Sequence, residues 1–150
     1  MIIDNTWKTS MTNRIRVLID LNVILDTLQM RQPHYTDSAR ILAYAETGAI
    51  EGLVAAHSWT TLFYLYAKDQ SADQARVRLT ELLQFLAVAP VDQVVVEQAL
   101  NLPYDDFEDA VQMMAAVRFG AEYLVTRNLQ DFKVGPLPVI QPAELLVLLK

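Results

Sequence analysis

One kind of segment recurs along this chain and limits the folds open to it: a short, mostly apolar run. The clearest example is Ile15–Ile19, which ends directly before a charged residue, Asp20. Runs without polar alternation are typical of strands covered on both faces of a parallel sheet. Helical segments separate each run from the next, which predicts an α/β domain with a mostly parallel sheet. The strands are predicted at residues 15–19, 50–55, 87–91, 122–126 and 139–140.

Residues that favour helix ends delimit the segments between the strands. Gly48 follows one helical segment in the position where a left-handed residue commonly ends a helix. Ser71 is a typical N-cap, and Pro142 suits the first position of a helix. Helices are therefore predicted at residues 22–29, 36–47, 58–68, 71–85, 92–102 and 105–119, with a last one that begins at Pro142 and completes the flanking layers.

Length and apolar content bound the organisation of the chain. Its 150 residues are typical of one domain, and 53% of them are hydrophobic, which excludes a disordered chain. Residues 1–13 are polar and irregular, so we expect a flexible leader there and a single domain over residues 14–150. The longest aliphatic run is far shorter than the about 20 residues of a membrane span. Because the first residues also lack a signal peptide's apolar region, we expect a cytoplasmic protein that contacts no membrane.

The reactive side chains that are missing restrict the chemistry. The chain has no cysteine and two histidines, His34 and His57, which excludes thiol catalysis and a cysteine-bound zinc site. Any metal must then be bound by oxygen, which favours Mg²⁺ or Mn²⁺. The net charge of −6 argues against a dedicated nucleic-acid-binding domain. It does not exclude an enzyme whose carboxylates meet phosphates through a cation.

Acidic and polar residues from three separate segments are predicted to meet at one edge of the sheet. Asp20 follows the first predicted strand, and Thr126 and Asn128 lie at the end of the fourth. Ligands of open parallel sheets bind at this carboxyl edge. The helix predicted at 105–119 begins at the same edge, where Asp106 and Asp109, three residues apart, share a face. Because such carboxylates repel each other unless a cation neutralises them, we predict a divalent metal site.

Each of these features also has a structural explanation when it is taken alone. Asp20 could cap a helix, and acids in a first helical turn are favoured by the helix dipole. Asn128 and Asp131 are typical turn residues, and His57 fits a cap or a surface position. The convergence of three segments on one edge nevertheless favours a functional site, at which an ion could activate water and stabilise charge on a phosphate.

At these residues the chain resembles the PIN-domain nucleases. The resemblance rests on three ordered segments, residues 18–26, 106–112 and 125–132. It implies a five-stranded parallel sheet of order 3-2-1-4-5 flanked by helices, and cleavage of RNA that depends on Mg²⁺ or Mn²⁺. Many small members are toxins of VapC-type toxin–antitoxin pairs, so the resemblance also implies an antitoxin as a partner.

The resemblance assigns roles to particular residues of this chain. It implies that the metal ligands and catalytic residues are Asp20, Asp106 and Asp109, and that the supporting residues are Asn22, Thr61, Thr126, Asn128 and Asp131. Two of the supporting positions depart from the family pattern. Thr61 stands where members commonly have a glutamate, and Asn128 where many have a further acid. With both positions neutral, a second ion is less favoured and the activity could be weak or lost.

Three functions remain open on the sequence. The first is a metal-dependent endoribonuclease acting as a toxin, and the second is a catalytically weakened PIN-like module that acts by binding protein or RNA. The third, a haloacid-dehalogenase-like phosphatase suggested by Asp20, ranks last because that chemistry needs an aspartate where Asn22 stands. We also expect an exposed aromatic surface that serves a homodimer or an antitoxin, formed by Tyr44, Trp59, Tyr64 and Tyr66.

Overall fold

The computed structural model describes residues 14–132 and 135–150. Its five strands form one sheet in the order β3-β2-β1-β4-β5, and every neighbouring pair is parallel. The strands are β1 (Ile15–Ile19), β2 (Ile50–Ala55), β3 (Leu86–Ala89), β4 (Tyr123–Val125) and β5 (Val139–Ile140). The α/β class, the strand order and the central place of β1 are thus confirmed. The leader expected at residues 1–13 lies outside the described part of the chain.

Helices cover both faces of the sheet. They are α1 (Leu21–Leu28), α2 (Tyr35–Glu46), α3 (Ala56–Asp69), α4 (Ala72–Leu82), α5 (Gln93–Ala99), α6 (Phe107–Arg118) and α7 (Pro142–Leu148), with a 3₁₀ turn at Leu129–Phe132. No helix in the described ranges is both long and apolar enough to cross a membrane.

Strand β1 separates two hydrophobic cores because its side chains alternate between the faces of the sheet. Val17 and Ile19 pack into the first core with residues of α1, α2, α3, α4 and α7. Leu18 packs into the second core with residues of α5 and α6. All three side chains are completely buried. A central strand buried on both faces in this way fixes where the residue after it, Asp20, must lie.

Several predicted boundaries are wrong by a few residues. Helix α4 ends at Leu82 and not at residue 85, because the next residues form tight turns that lead directly into β3. Strand β3 accordingly begins at Leu86, one residue before the predicted start. Helices α5 and α6 begin later than predicted because Asp92 and Asp106 are N-caps, whose side chains accept hydrogen bonds from the backbone amides of Val95 and Glu108.

A buried ion pair joins the end of α1 to the residue that follows Thr126. Asp26 is completely buried, and its Oδ2 accepts a hydrogen bond from Nε of Arg127 at 2.7 Å. Arg31 Nη1 lies 3.7 Å from the other carboxylate oxygen. A buried charge is tolerated only when it is paired. This pair therefore fixes the backbone after β4 against α1, at the carboxyl edge of the sheet.

We predict that Arg127→Met lowers the free energy of unfolding by about 3 kcal/mol, because it leaves the buried Asp26 carboxylate with Arg31 alone. Urea unfolding followed by circular dichroism measures the effect. Arg76→Met is the matched control, since Arg76 pairs with Asp73 on the exposed surface of α4 and its loss should leave the midpoint unchanged. Equal effects of the two variants would contradict a stabilising role for the buried pair.

Candidate active site

The Asp20 carboxylate is buried at the carboxyl end of β1, with 2% of the residue exposed. Its Oδ2 accepts a hydrogen bond from the Thr126 hydroxyl at 2.8 Å, and its Oδ1 accepts one from the Gln112 side-chain amide at 3.1 Å. Burial raises the pKa of Asp20, and the hydrogen bonds from Thr126 and Gln112 oppose that rise in part. Asp20 occupies the N-cap position of α1 without a side-chain capping hydrogen bond, so its hydrogen bonds to Thr126 and Gln112 are the contacts that fix the carboxylate.

Gln112 joins Asp20 to Asp109. Its Nε2 donates to Oδ1 of Asp20 at 3.1 Å and lies 3.4 Å from Oδ1 of Asp109, which it also contacts as a donor. Gln112 is 1% exposed, and its Oε1 is buried without a hydrogen-bond partner among the described residues. Sequence analysis did not single out this residue. Its spacing of three residues from Asp109 on a helix was the available signal.

The Asp109 carboxyl has a strongly shifted ionisation. Burial, followed by repulsion from the neighbouring acids, raises its pKa from 3.8 to about 7. The acids that contribute, largest first, are Asp106, Asp20, Asp131 and Glu108. Carboxylates at the end of β1, at the start of α6 and in the 3₁₀ turn therefore all raise the pKa of Asp109. The predicted convergence of Asp20 and Asp109 is what the structure shows.

Asp106 and Asp131 lie at the rim of this site. Both are exposed, and together with Asp105 and Asp109 they line an open depression of about 250 Å³ that Tyr104 also borders. One oxygen of Asp106 is used as the N-cap of α6, where it accepts a hydrogen bond from the Glu108 amide at 2.8 Å. The rim is thus anionic and open to solvent, whereas Asp20 is buried.

The predicted supporting residues differ in how they contact the site. Thr126 is completely buried, and its hydroxyl oxygen accepts a hydrogen bond from the backbone amide of Asn128 at 3.1 Å, which leaves its proton for Asp20. The backbone amide of Asn22 lowers the pKa of Asp20. Within the described chain, the side chains of Asn22, Asn128 and Thr61 make no hydrogen bond to these carboxylates; Thr61 is half-buried on α3.

The donor set suits a hard divalent cation, although it is not complete. Among the residues described, no three His, Asp or Glu side chains are grouped so that they could hold a metal ion together. The structure brings Asp20 and Asp109 to a common donor, while Asp106 is held at the rim by its capping bond. Mutual repulsion of carboxylates and an unpartnered buried amide oxygen are what a cation with oxygen ligands would relieve. The residues therefore fit a hard divalent cation bound with only a few protein ligands.

His57 and the aromatic residues of α3 have structural contacts. The Nε2 atom of His57 lies 3.1 Å from the backbone carbonyl of Glu108, which links the start of α3 to the start of α6. The exposed aromatic surface expected on α2 and α3 is wrong for Tyr66, which is buried. Tyr44 and Trp59 are half-buried and pack against the first core, and Trp59 donates a hydrogen bond to the carbonyl of Val54. Tyr64, at 62% exposed, is the large aromatic side chain of that set left on the surface.

Comparison with solved structures shows the same fold in other proteins. A toxin–antitoxin complex from Klebsiella pneumoniae is similar over 84% of this chain and 97% of its own, with a TM-score of 0.64 and 24% identity. The VapBC2 complex of Rickettsia felis, bound to a promoter DNA fragment, matches 85% of this chain and 98% of its own, with a TM-score of 0.63 and 16% identity. The sarcin–ricin loop cleaving toxin VapC20 of Mycobacterium tuberculosis matches 80% and 99%, with a TM-score of 0.61 and 14% identity.

Sequence comparison gives the family. A search of curated proteins finds no match. The family model of the PIN domain, however, matches residues 16–130, which include β1, α6 and β4 with the residues that they bring together. This match covers most of the chain and agrees with the strand order and the acidic carboxyl edge described above. It shows that this chain belongs to the PIN-domain family.

Proposed function

We propose that this protein is a metal-dependent endoribonuclease and the toxin of a toxin–antitoxin pair. The observation that carries the proposal is the meeting of Asp20 and Asp109 at a single side-chain donor, Gln112. One carboxylate directly follows β1 and the other lies in α6, at the carboxyl edge where open α/β sheets bind their ligands. Membership of the PIN-domain family supports assigning nuclease chemistry to this edge.

Asp20 and Asp109 are the residues that we propose to hold Mg²⁺ or Mn²⁺, with Asp106 and Asp131 acting from the rim, directly or through water. A bound cation of this kind activates water as a nucleophile and stabilises the charge that develops on a phosphate. Because Thr61 and Asn128 are neutral, the site has fewer anions than its family pattern, which favours one ion over two.

The protein's own residues prepare the site in two ways. Thr126 fixes the orientation of the Asp20 carboxylate through its 2.8 Å hydrogen bond, so this ligand has little freedom to lose on binding. The rim acids Asp105, Asp106 and Asp131 repel an RNA backbone. We therefore expect RNA binding at this edge to require the divalent cation, and to be weak in its absence.

An antitoxin is the proposed protein partner. Solved structures of the same fold include toxin–antitoxin complexes from Klebsiella pneumoniae and Rickettsia felis. RNA as the substrate class is supported by the structural likeness to a sarcin–ricin loop cleaving toxin. Homodimer formation stays a prediction, and its expected aromatic surface is mostly covered by the fold itself.

A catalytically weakened binding module is the second candidate. It is favoured by the neutral residues Thr61 and Asn128 and by the lack of a group of three acidic or histidine side chains poised for a metal in the described part of the chain. Such a module would bind RNA or a protein without cutting RNA. Cleavage and binding must therefore be measured separately.

We predict that the purified protein cleaves RNA in the presence of Mg²⁺ or Mn²⁺, and that Asp20→Asn reduces the rate at least 100-fold because a ligand charge is lost. Gel analysis of labelled RNA, with EDTA as the metal-free condition, measures this. Asp73→Asn, on the exposed surface of α4, is the charge-matched control and should cleave as the wild type does. RNA binding without cleavage by the wild type would favour the second candidate.

We predict that the stability of the ion-free protein falls as the pH rises from about 4 to about 7. The pKa of Asp109 is raised to about 7 by burial and by its neighbours, so the folded state holds this proton over a range in which the unfolded chain has released it. Asp109→Asn should abolish this part of the pH dependence. At pH 8 it should gain on the order of 1–2 kcal/mol, after allowance for solvent screening of a half-buried group.

The same pair of proteins tests for the ion. At pH 8, millimolar Mn²⁺ should raise the melting temperature of the wild type, Mg²⁺ should act at higher concentration, and neither should affect Asp109→Asn. At pH 5 the response should shrink, because a protonated carboxyl binds metal poorly. A wild-type midpoint that does not respond to Mn²⁺, with Asp109→Asn slightly less stable, would contradict the metal site and favour a purely structural role in the first turn of α6.

A further inference from the structure

We infer that Gln112 is a positioning residue with two orientations: its amide nitrogen bridges Asp20 and Asp109 when no cation is present, and its amide oxygen faces the cation when one is bound. The inference deepens the proposed function and rests on it, because it assumes that these carboxylates bind a divalent ion. It assigns a role to a neutral residue that neither acts on substrate nor carries charge.

The bridge accounts for how two carboxylates stay together without a cation. One nitrogen carries two N–H groups, and Nε2 of Gln112 lies 3.1 Å from Oδ1 of Asp20 and 3.4 Å from Oδ1 of Asp109. A neutral amide thus supplies one donor to each carboxylate at the place where they approach. Its dipole offsets part of their repulsion in surroundings where water does so poorly.

The other half of the amide, on the side away from the two carboxylates, has no partner among the described residues. Oε1 of Gln112 is buried and has no partner in the described chain, and the residue is 1% exposed. Buried acceptors are nearly always hydrogen-bonded, so an unpaired one at a site of this kind needs an explanation. An amide oxygen is also a regular ligand of hard divalent cations. When no cation is bound, the amide nitrogen of Gln112 donates hydrogen bonds to the two carboxylates. When a cation is bound, the amide oxygen is the half that can bind it.

Rotation about the last side-chain bond exchanges the two halves without moving the rest of the residue. After the exchange, Oε1 would face the two carboxylates, which is unfavourable when no cation lies between these oxygens and favourable when one does. The state of the site thus selects the orientation. Asp20 keeps the hydrogen bond that its Oδ2 receives from Thr126 in either orientation. The exchange moves both N–H groups of Gln112 into the buried position where Oε1 has no partner in the part of the chain that the structure describes, a cost that only a bound cation offsets.

The position of Gln112 on α6 keeps this movement local. Met113, Ala115 and Ala116 are buried in the second core, so the backbone of this part of the helix is fixed. Asp109 lies one turn earlier on the same face. The side-chain amide of Gln112 can consequently change its orientation while the carboxylate beside it keeps its backbone position.

Gln112→Met tests the inference, because methionine has nearly the same length and neither a donor nor an oxygen. We expect Mn²⁺ binding, measured by electron paramagnetic resonance of the free ion, to weaken at least tenfold, and the melting temperature in EDTA to fall. Gln112→Glu supplies two oxygens and no donor, so it should also melt lower in EDTA but should bind Mn²⁺ at least as tightly as the wild type. Unchanged Mn²⁺ affinity in Gln112→Met, or tighter binding, would overturn the inference.

Two further measurements guard the interpretation. The first is the Gln112 side-chain NH₂ signal in a ¹H–¹⁵N spectrum of the wild type, which needs no variant. This signal should shift when Mg²⁺ is added, because the hydrogen bonds of the NH₂ group to the carboxylates break. A signal that does not move would also overturn the inference. Gln98→Met, on the exposed surface of α5, is the matched control and should change neither melting temperature nor affinity. If the wild type binds no Mn²⁺, the proposed function fails too, whereas wild-type binding that Gln112→Met leaves unchanged overturns the role of Gln112 alone.

Discussion

A carboxylate buried at the end of the central strand constrains everything around it. Asp20 is held under the protein surface by hydrogen bonds from Thr126 and Gln112, which come from the segment after β4 and from α6. An ionised carboxylate without such partners would be costly to bury. The chain can therefore fold around Asp20 only if β1, β4 and α6 meet at the same edge, which is where the family's chemistry is expected.

Two buried aspartates near this edge, Asp26 and Asp20, differ in the charge of their neighbours. Asp26 is paired with Arg127 and lies close to Arg31, so its charge is neutralised by the protein and serves to hold α1 against the backbone after β4. Asp20 has neutral donors and acidic neighbours. The first carboxylate is neutralised by guanidinium groups of the protein, whereas the second has an excess of negative charge. This contrast distinguishes a structural carboxylate from one that is suited to binding a cation.

The sequence could predict those features that depend on local pattern and on sheet topology. The apolar run of β1 and the acids at the start of α6 predicted that Asp20 and Asp109 meet, and the resemblance to PIN-domain nucleases predicted the strand order. Gln112 was missed because its one signal in the sequence, a spacing of three residues from Asp109, does not by itself distinguish a site residue from any other glutamine on a helix. Its role depends on which strand end it faces, and this is known only from the tertiary structure.

The exposure of the aromatic residues of α3 also could not be predicted from the sequence. The sequence placed aromatic side chains on this helix but could not tell how much of them the fold would cover. Tyr66 is buried outside the first core, and Trp59 is partly buried against it. Helix ends were misplaced for a related reason: caps such as Asp106 act through hydrogen bonds that a one-dimensional pattern indicates only to within a few residues.

Asp106 gives the start of α6 a second importance. One of its oxygens fastens the first turn of the helix through the Glu108 amide, while the residue also borders the depression beside Asp109. The end of a helix opens locally at a lower free-energy cost than the rest of the fold. Here that opening is thermodynamically linked to ligand binding, since any ligand that draws Asp106 away from its cap loosens the turn that carries Asp109. Binding of a ligand at the rim and opening of the first turn of α6 are therefore coupled through Asp106.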